Sequence, residues 1–363
     1  MNSIRLMKPY IAYEEVEADF REVFSSGMFT RGQHVEAFRK EIAAFTGARH
    51  VHMATSATTA LWVCLKLLGI GPGDEVVVSD FSFPATANVV EDLGATLVFA
   101  DVSLDTYNVL PDTLERLITP RTKAVIFVDA LGNPSGLHTI AALCRSKGVP
   151  LIEDAACAIG SSEAGRRCGS IADLTCLSFH PRKLISTGEG GAITTDSDEW
   201  SRWLDVKLSH GAYGMKGPGL DFVDYGYNFR LPELQAVMGR KQLARLDRIL
   251  DERIQIRERY RARLENLGFK AQKVGADVRY NVQSLVFAVP EGSNRDDLIA
   301  ALKQRGIEST LGTYAMSATT YYMQRYGINN SNARWLQANT ITLPCFNGVE
   351  VDVVCDAVQD VRR

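Results

Sequence analysis

The stretch Val149-Pro-Leu-Ile-Glu-Asp154-Ala-Ala156 decides how the rest of the chain is read. A short apolar run closed by acids and alanines reads as a strand buried on both faces, ending where a carboxylate emerges. In an open parallel sheet, ligands bind in the crevice outside the carboxyl ends of the strands, so Asp154 is expected at the mouth of such a crevice. Taken alone, an acid there reads first as a helix cap or as half of an ion pair.

The same grammar repeats on both sides of this stretch. Strand candidates are His50–Met53, Glu75–Ser79, Thr96–Ala100, Ala124–Val128, Pro150–Glu153, Thr175–Ser178 and Ala192–Thr195, with helical patterns between them. This alternation predicts an α/β fold: a mostly parallel seven-stranded sheet with helices on both faces. Upstream, Val35, Phe38, Ile42 and Phe45 recur at helical spacing, predicting a helix over 32–47 that ends at Gly47. Residues 231–267 keep a helical pattern with Pro232 in a tolerable first-turn position. They are expected to form one long helix joining a large domain, 1–245, to a small C-terminal α+β domain, 246–363. In the small domain, Leu285–Val289 and Ile341–Pro344 are apolar runs, and helices are expected over Arg295–Gln304 and after Val349.

A length of 363 residues suits two such domains, and 46% hydrophobic with 23% charged residues is the balance of a globular chain. Basic and acidic residues nearly cancel, 40 against 43, and no block of like charge could follow a phosphate backbone, so nucleic acid is not an expected partner. The segment Met1–Lys8 lacks the apolar run of a signal peptide, and Lys66 interrupts the apolar stretch Thr59–Ile70. No membrane span and a cytoplasmic location are therefore expected. Seven scattered cysteines without CxxC spacing, and His50 and His52 on a strand, predict neither a disulfide framework nor a metal site.

Twenty-nine residues beyond Asp154, the run Thr175-Cys-Leu-Ser-Phe-His180 delivers Lys183 just past a strand end, before the turn Gly188-Glu-Gly-Gly191. A lysine there reaches the same crevice, and burial or neighbouring cations would free its amine for a Schiff base. A solvated surface lysine is the ordinary alternative. Thr55-Ser-Ala-Thr58, between a strand and a helix, gathers amides and hydroxyls at a helix N-terminus, which makes either an anion seat or a plain cap. Phe81 and Phe83 follow the next strand closely enough for one ring to cover a planar cofactor. Anion seat, aromatic, strand-end acid and strand-end lysine in this order are more specific together than any one of them.

With Gly27-Met-Phe-Thr30, Gly71-Pro-Gly-Asp-Glu75, Glu153-Asp-Ala-Ala156, Ser178-Phe-His-Pro-Arg-Lys183, Thr187-Gly-Glu-Gly-Gly191 and Gly226-Tyr-Asn-Phe-Arg230, nearly the whole chain resembles one family. These are the DegT/DnrJ/EryC1/StrS sugar aminotransferases, pyridoxal phosphate enzymes of fold-type I. The resemblance implies that Lys183 holds the cofactor as a Schiff base and that Asp154 keeps the pyridine nitrogen protonated. A carboxylate at that nitrogen favours the pyridinium, whose charge makes the ring an electron sink. It further implies that Phe83 stacks on the ring, that Ala57, Thr58 and Ser178 meet the phosphate, and that Asn228 reaches the phosphate of a neighbouring subunit's cofactor. A homodimer with shared sites follows. Thr30, His180, Arg230, Tyr314 and Ser317 are the expected substrate contacts, although a structural ion pair would account for Arg230 as well.

The implied reaction is ping-pong transfer of an amino group, usually from glutamate, to a keto group of a nucleotide-activated deoxysugar, as in amino-sugar and polysaccharide biosynthesis. The Gly188-Glu-Gly-Gly191 form is similar to members that aminate carbon 4, while other relatives act on cyclitols, keto-octulosonates or in aminobenzoate formation. Three positions depart from the family pattern. Cys157 stands where the family usually has Gln or His as donor to the cofactor's phenolic oxygen, Ala57 replaces a common glycine, and Ser317 takes a place often held by histidine. Relatives that dehydrate their sugar resemble one another in carrying histidine at the lysine position, which Lys183 does not match. A catalytically silent homologue could keep the fold without activity, but Lys183, Asp154 and Asn228 are all retained. Gly69-Ile-Gly-Pro-Gly73 follows a helix and precedes a strand, the reverse of the order a dinucleotide fingerprint requires.

Overall fold

A computed structural model describes residues 3–361. Strands β1 (His50–Ala54), β2 (Glu75–Ser79), β3 (Thr96–Ala100), β4 (Thr122–Val128), β5 (Leu151–Asp154), β6 (Leu174–Ser178) and β7 (Gly191–Thr195) form one sheet. Their order is β1-β7-β6-β5-β4-β2-β3. Strand β7 runs antiparallel to both its neighbours and every other pairing is parallel. Side chains alternate across the sheet. Val76, Val78, Ile126 and Ile152 pack on one face beneath helix Ala57–Leu67. Val77, Val125, Phe127 and Leu151 pack on the other beneath helix Leu137–Lys147. Both faces are covered, which is why these strands read as continuous apolar runs.

The expected N-terminal helix forms over Gln33–Thr46 and stops at Gly47, whose φ of +82° is the left-handed conformation that glycine adopts cheaply. It carries no cap of its own. The buried Glu233 carboxylate supplies one from far along the chain, accepting the amides of Gly32, His34 and Val35 at 2.8, 2.8 and 3.1 Å.

The single long helix expected over 231–267 is two helices, Glu233–Leu243 and Leu246–Leu264. They part at Arg245, with φ −120° and ψ 12°. The Arg245 guanidinium donates to the Glu15 carboxylate and the Tyr10 carbonyl, which holds the break open. Beyond it, Lys270–Ala271, Leu285–Ala288, Thr340–Leu343 and Thr310–Leu311 form an antiparallel sheet, with helices Arg295–Gln304 and Val351–Val361 in the same core.

The chain does not part cleanly at residue 245. Ile4 bridges to Ile307, and Leu6 exchanges hydrogen bonds with Glu308 and Cys345, which puts the first described residues in the C-terminal unit. Conversely, Tyr314–Ala315 pairs with Phe81–Ser82, and Met316, Tyr322, Ala333 and Leu336 bury themselves in the large domain. The buried Arg253 guanidinium fastens the junction by donating to the carbonyls of Val282, Gln283 and Cys345. Among the described residues, no helix is long and apolar enough to cross a membrane.

Candidate active site

Three strand ends line up in the register Ala54, Gly191, Ser178, and β5 joins them by pairing Asp154 with Cys176. Helix Ala57–Leu67 begins where β1 stops, capped by Ser56, whose Oγ accepts the Thr59 amide at 3.1 Å. The Ala57 and Thr58 amides are left without a partner among the described residues. Open amides at the positive end of a helix make an anion seat. A Cβ on Gly191 would lie 2.5 Å from the Ser56 carbonyl carbon and 2.8 Å from the Ala57 nitrogen. Only glycine lets β7 pass so close beneath the seat, which is the physical content of the final glycine in Gly188-Glu-Gly-Gly191. Ser178 is buried at the end of β6, whereas Thr58 is exposed at the rim.

Asp154 is the last residue of β5, which is shifted one residue along from the expected Pro150–Glu153. Its carboxylate accepts the Thr86 hydroxyl at 2.7 Å and the Ala156 amide at 3.2 Å. Burial pushes this carboxyl above the ordinary range, while the Thr86 and Ala156 hydrogen bonds and the nearby Lys183 charge pull it back. Lys183 is half-buried, with Nζ 3.0 Å from the Cys157 sulfur. Its loop is stapled from the other half of the chain. The Gln283 side chain accepts the Leu184 amide at 2.9 Å and donates to the Arg182 carbonyl at 2.7 Å. The Cys157 carbonyl is held in turn by Asn281 at 2.8 Å.

Of the two aromatics, Phe81 is buried core and Phe83 is 64% exposed at the head of helix Pro84–Asp92. The ring able to cover a planar ligand is therefore that of Phe83. Tyr314 stands beside it, paired with Ser82. His180 is half-exposed, with Nε2 3.9 Å from Glu189. Burial lowers the His180 pKa, and Glu189 opposes that shift.

Thr30 is exposed and bridges to Pro232. Arg230 lines a cleft with Arg31, His52 and Asp205, in which Lys183 and Asp154 take no part. Its buried Nε has no hydrogen-bond partner among the described residues, and burial followed by the Arg31 charge holds the guanidinium below its ordinary pKa. Asn228 is exposed and bridges to Ser209, just past the ribbon Ala212–Lys216 and Gly219–Phe222. Ser317 differs from expectation. It is 0% exposed, and its amide and hydroxyl both donate to the Asp80 carboxylate, at 2.7 and 2.6 Å, so it offers nothing to a substrate directly. Thr86, Gln283 and Glu233 were not anticipated. Only Thr86 has a local signal, a hydroxyl in the first turn of the helix that Phe83 heads.

The donor set fits a planar aldehyde bearing a phosphate and a basic ring nitrogen: open amides for the phosphate, a buried carboxylate for the nitrogen, an amine for the aldehyde and an aromatic face for the ring. On this sheet, those features define an aminotransferase of fold-type I. The chain belongs to the DegT/DnrJ/EryC1/StrS aminotransferase family, whose model matches residues 11–362. It is 36% identical over 370 residues to the spore coat polysaccharide biosynthesis protein SpsC of Bacillus subtilis (strain 168), covering 98% of this chain and 95% of that one. Among solved structures, it is similar to the aminotransferase TlmJ from Streptoalloteichus hindustanus, with a TM-score of 0.94 and 30% identity over 99% of both chains. It is also similar to the PLP-form of the putative sugar aminotransferase Spr1654 from Streptococcus pneumoniae. There the TM-score is 0.90 and the identity 27%, over 99% of this chain and 98% of that one. The cofactor is pyridoxal phosphate.

Proposed function

We propose that the protein moves an amino group from an amino acid, L-glutamate, to the keto group of a nucleotide-activated deoxysugar at carbon 4, in the cytoplasm and as a homodimer. The observation that carries this reading is the meeting of Asp154, Lys183 and the open Ala57 and Thr58 amides at neighbouring strand ends. Bound there, pyridoxal phosphate supplies an electrophilic carbonyl carbon and an electron-withdrawing ring.

The chain's own groups do the rest. Asp154 holds the proton on the ring nitrogen, and the Ala57 and Thr58 amides with the Ser178 hydroxyl hold the phosphate. Phe83 covers one face of the ring against water. Lys183, once its amine is free, carries a proton between carbon atoms. Cys157, beside that amine, is a weaker donor to the phenolic oxygen than an amide or an imidazole would be. Thr30, His180 and Tyr314 remain the candidates for contact with the sugar, and the unpartnered Arg230 guanidinium suits a carboxylate or phosphate.

The choice of carbon 4 leans on the Gly188-Glu-Gly-Gly191 form and the family resemblance. Support for the dimer comes from the ribbon, which exposes Tyr213, Met215, Leu220 and Phe222, and from Tyr225 just beyond it, also exposed. An apolar patch of that kind suits a protein interface. A second copy seated on it would bury these side chains and carry Asn228 towards the phosphate of its neighbour.

Protein reconstituted with pyridoxal phosphate should absorb visible light, lose that band on addition of glutamate and regain it with a 4-keto-sugar nucleotide. Restoration only by a cyclitol ketone or a keto-octulosonate would redirect the substrate assignment. A protein that stays colourless would contradict the whole reading.

A further inference from the structure

Thr86 is buried in the first turn of helix Pro84–Asp92, with its hydroxyl 2.7 Å from Asp154 Oδ2 and 2.9 Å from the Ser82 hydroxyl. Ser82 is buried too, and the other acceptor within its reach is the Phe83 carbonyl at 3.4 Å. Two hydroxyls and a carboxyl in series can be protonated in either of two directions.

In the first direction, Ser82 donates to Thr86 and Thr86 donates to Asp154, which is then ionised and only accepts. In the second, a protonated Asp154 donates to Thr86, Thr86 donates to Ser82, and Ser82 must pass its proton on to the Phe83 carbonyl. A distance of 3.4 Å is long for an O–H···O bond, so the second chain ends poorly. The first ends in a short charge-assisted bond at 2.7 Å. The Ala156 amide, donating to the other carboxylate oxygen at 3.2 Å, favours the same direction.

The geometry points to the Ser82–Thr86 hydroxyl pair as a positioning relay that keeps Asp154 an anion and fixes its orientation towards the ring nitrogen. Burial pushes the Asp154 carboxyl up, and Thr86 is foremost among the groups that pull it back. The far end of the relay is anchored as well. The Ser82 carbonyl accepts the Thr313 hydroxyl at 2.9 Å, Ser82 pairs with Tyr314, and the Asp80–Ser317 bonds clamp the segments on either side. Ser317 thus acts on the site through Ser82 rather than by touching substrate.

The relay rests on the reading that Asp154 faces the ring nitrogen, and one experiment separates the two claims. Apoprotein is titrated, following protein fluorescence, with pyridoxal phosphate and with its analogue in which the ring nitrogen is replaced by carbon. The ratio of the two dissociation constants reports the Asp154–nitrogen interaction without turnover. Wild type should bind the natural cofactor more tightly. In Thr86→Val, of nearly the same shape, the ratio should fall roughly tenfold, Thr86→Ser should restore it to within about twofold, and Ser82→Ala should lower it about threefold. An unchanged ratio in both Thr86→Val and Ser82→Ala overturns the relay and leaves the nitrogen assignment standing. A wild type that binds both compounds equally overturns both. Should Thr86→Val fail to fold, Ser82→Ala, which keeps the Thr86–Asp154 bond, decides the matter alone.

Discussion

Asp154, Ser178 and Ala57 stand on the ends of buried strands or on the first turn of a buried helix, whereas Thr30 and Asn228 stand in exposed connecting segments and Tyr314, also exposed, stands on a two-residue strand. The proposed cofactor side of the cleft is set by backbone register, Ala54 to Gly191 to Ser178, and by buried hydrogen bonds. The proposed substrate contacts are exposed side chains or, for Arg230, a guanidinium in a separate cleft whose Nε has no partner among the described residues. A rigid scaffold can hold reacting groups to a fraction of an ångström, while loops are free to change what is bound. On the proposed reading, the chemistry is fixed by the sheet and the substrate by what surrounds it.

Substitutions should separate the two sides by size and kind of effect. Lys183→Ala removes the proton carrier and should lower turnover on the order of 10^4-fold in a single-turnover assay, with the fold intact by circular dichroism. Asp154→Asn, which keeps the shape and removes the charge, should cost about 10^2- to 10^3-fold in kcat. On the substrate side, Arg230→Ala should raise KM for one substrate about tenfold and leave kcat within about threefold, as loss of uniform binding does. A kcat loss in Arg230→Ala as large as that in Asp154→Asn would break the comparison, because Arg230 would then belong with the chemistry.

The smallest effect lies beneath the cofactor side. Asp129 is wholly buried against Glu153, and among the described residues no N–H group or hydroxyl donates to either of its carboxylate oxygens. Burial, then the Glu153 charge, raises its pKa well above the ordinary carboxyl value. An acid that holds its proton more tightly folded than unfolded stabilises the fold at low pH, and that contribution is lost as pH climbs through the raised value. Asparagine has no such proton to lose. The melting temperature of Asp129→Asn should therefore gain on wild type as pH goes from about 5 to about 9. A constant difference would mean that Asp129 is ionised throughout.

The sheet and the positions of Asp154 and Lys183 beside strand ends were legible because their signals are local. A buried strand is an apolar run; Asp154 closes one such run and Lys183 lies five residues past the end of another. Seat and glycine turn were legible for the same reason. The break at Arg245 was not, since it has neither proline nor glycine and depends on Glu15 and Tyr10 far away in sequence. Likewise Glu233 caps a helix about two hundred residues upstream, and Gln283 staples a loop about one hundred residues upstream. Ser317 was misplaced because family position suggested a substrate contact, while its actual partner, Asp80, lies across the domain junction. Periodicity reports which face of an element is buried but not which distant side chain will meet it.

The central claim, that Lys183 in the loop after β6 is the amine that holds the cofactor, is tested most directly by borohydride reduction of protein loaded with pyridoxal phosphate, followed by proteolysis and mass spectrometry. The account predicts one modified residue, Lys183, and no modification there after an excess of glutamate has first removed the visible band. A label on a different lysine, or an unlabelled Lys183 in visibly coloured protein, would contradict it.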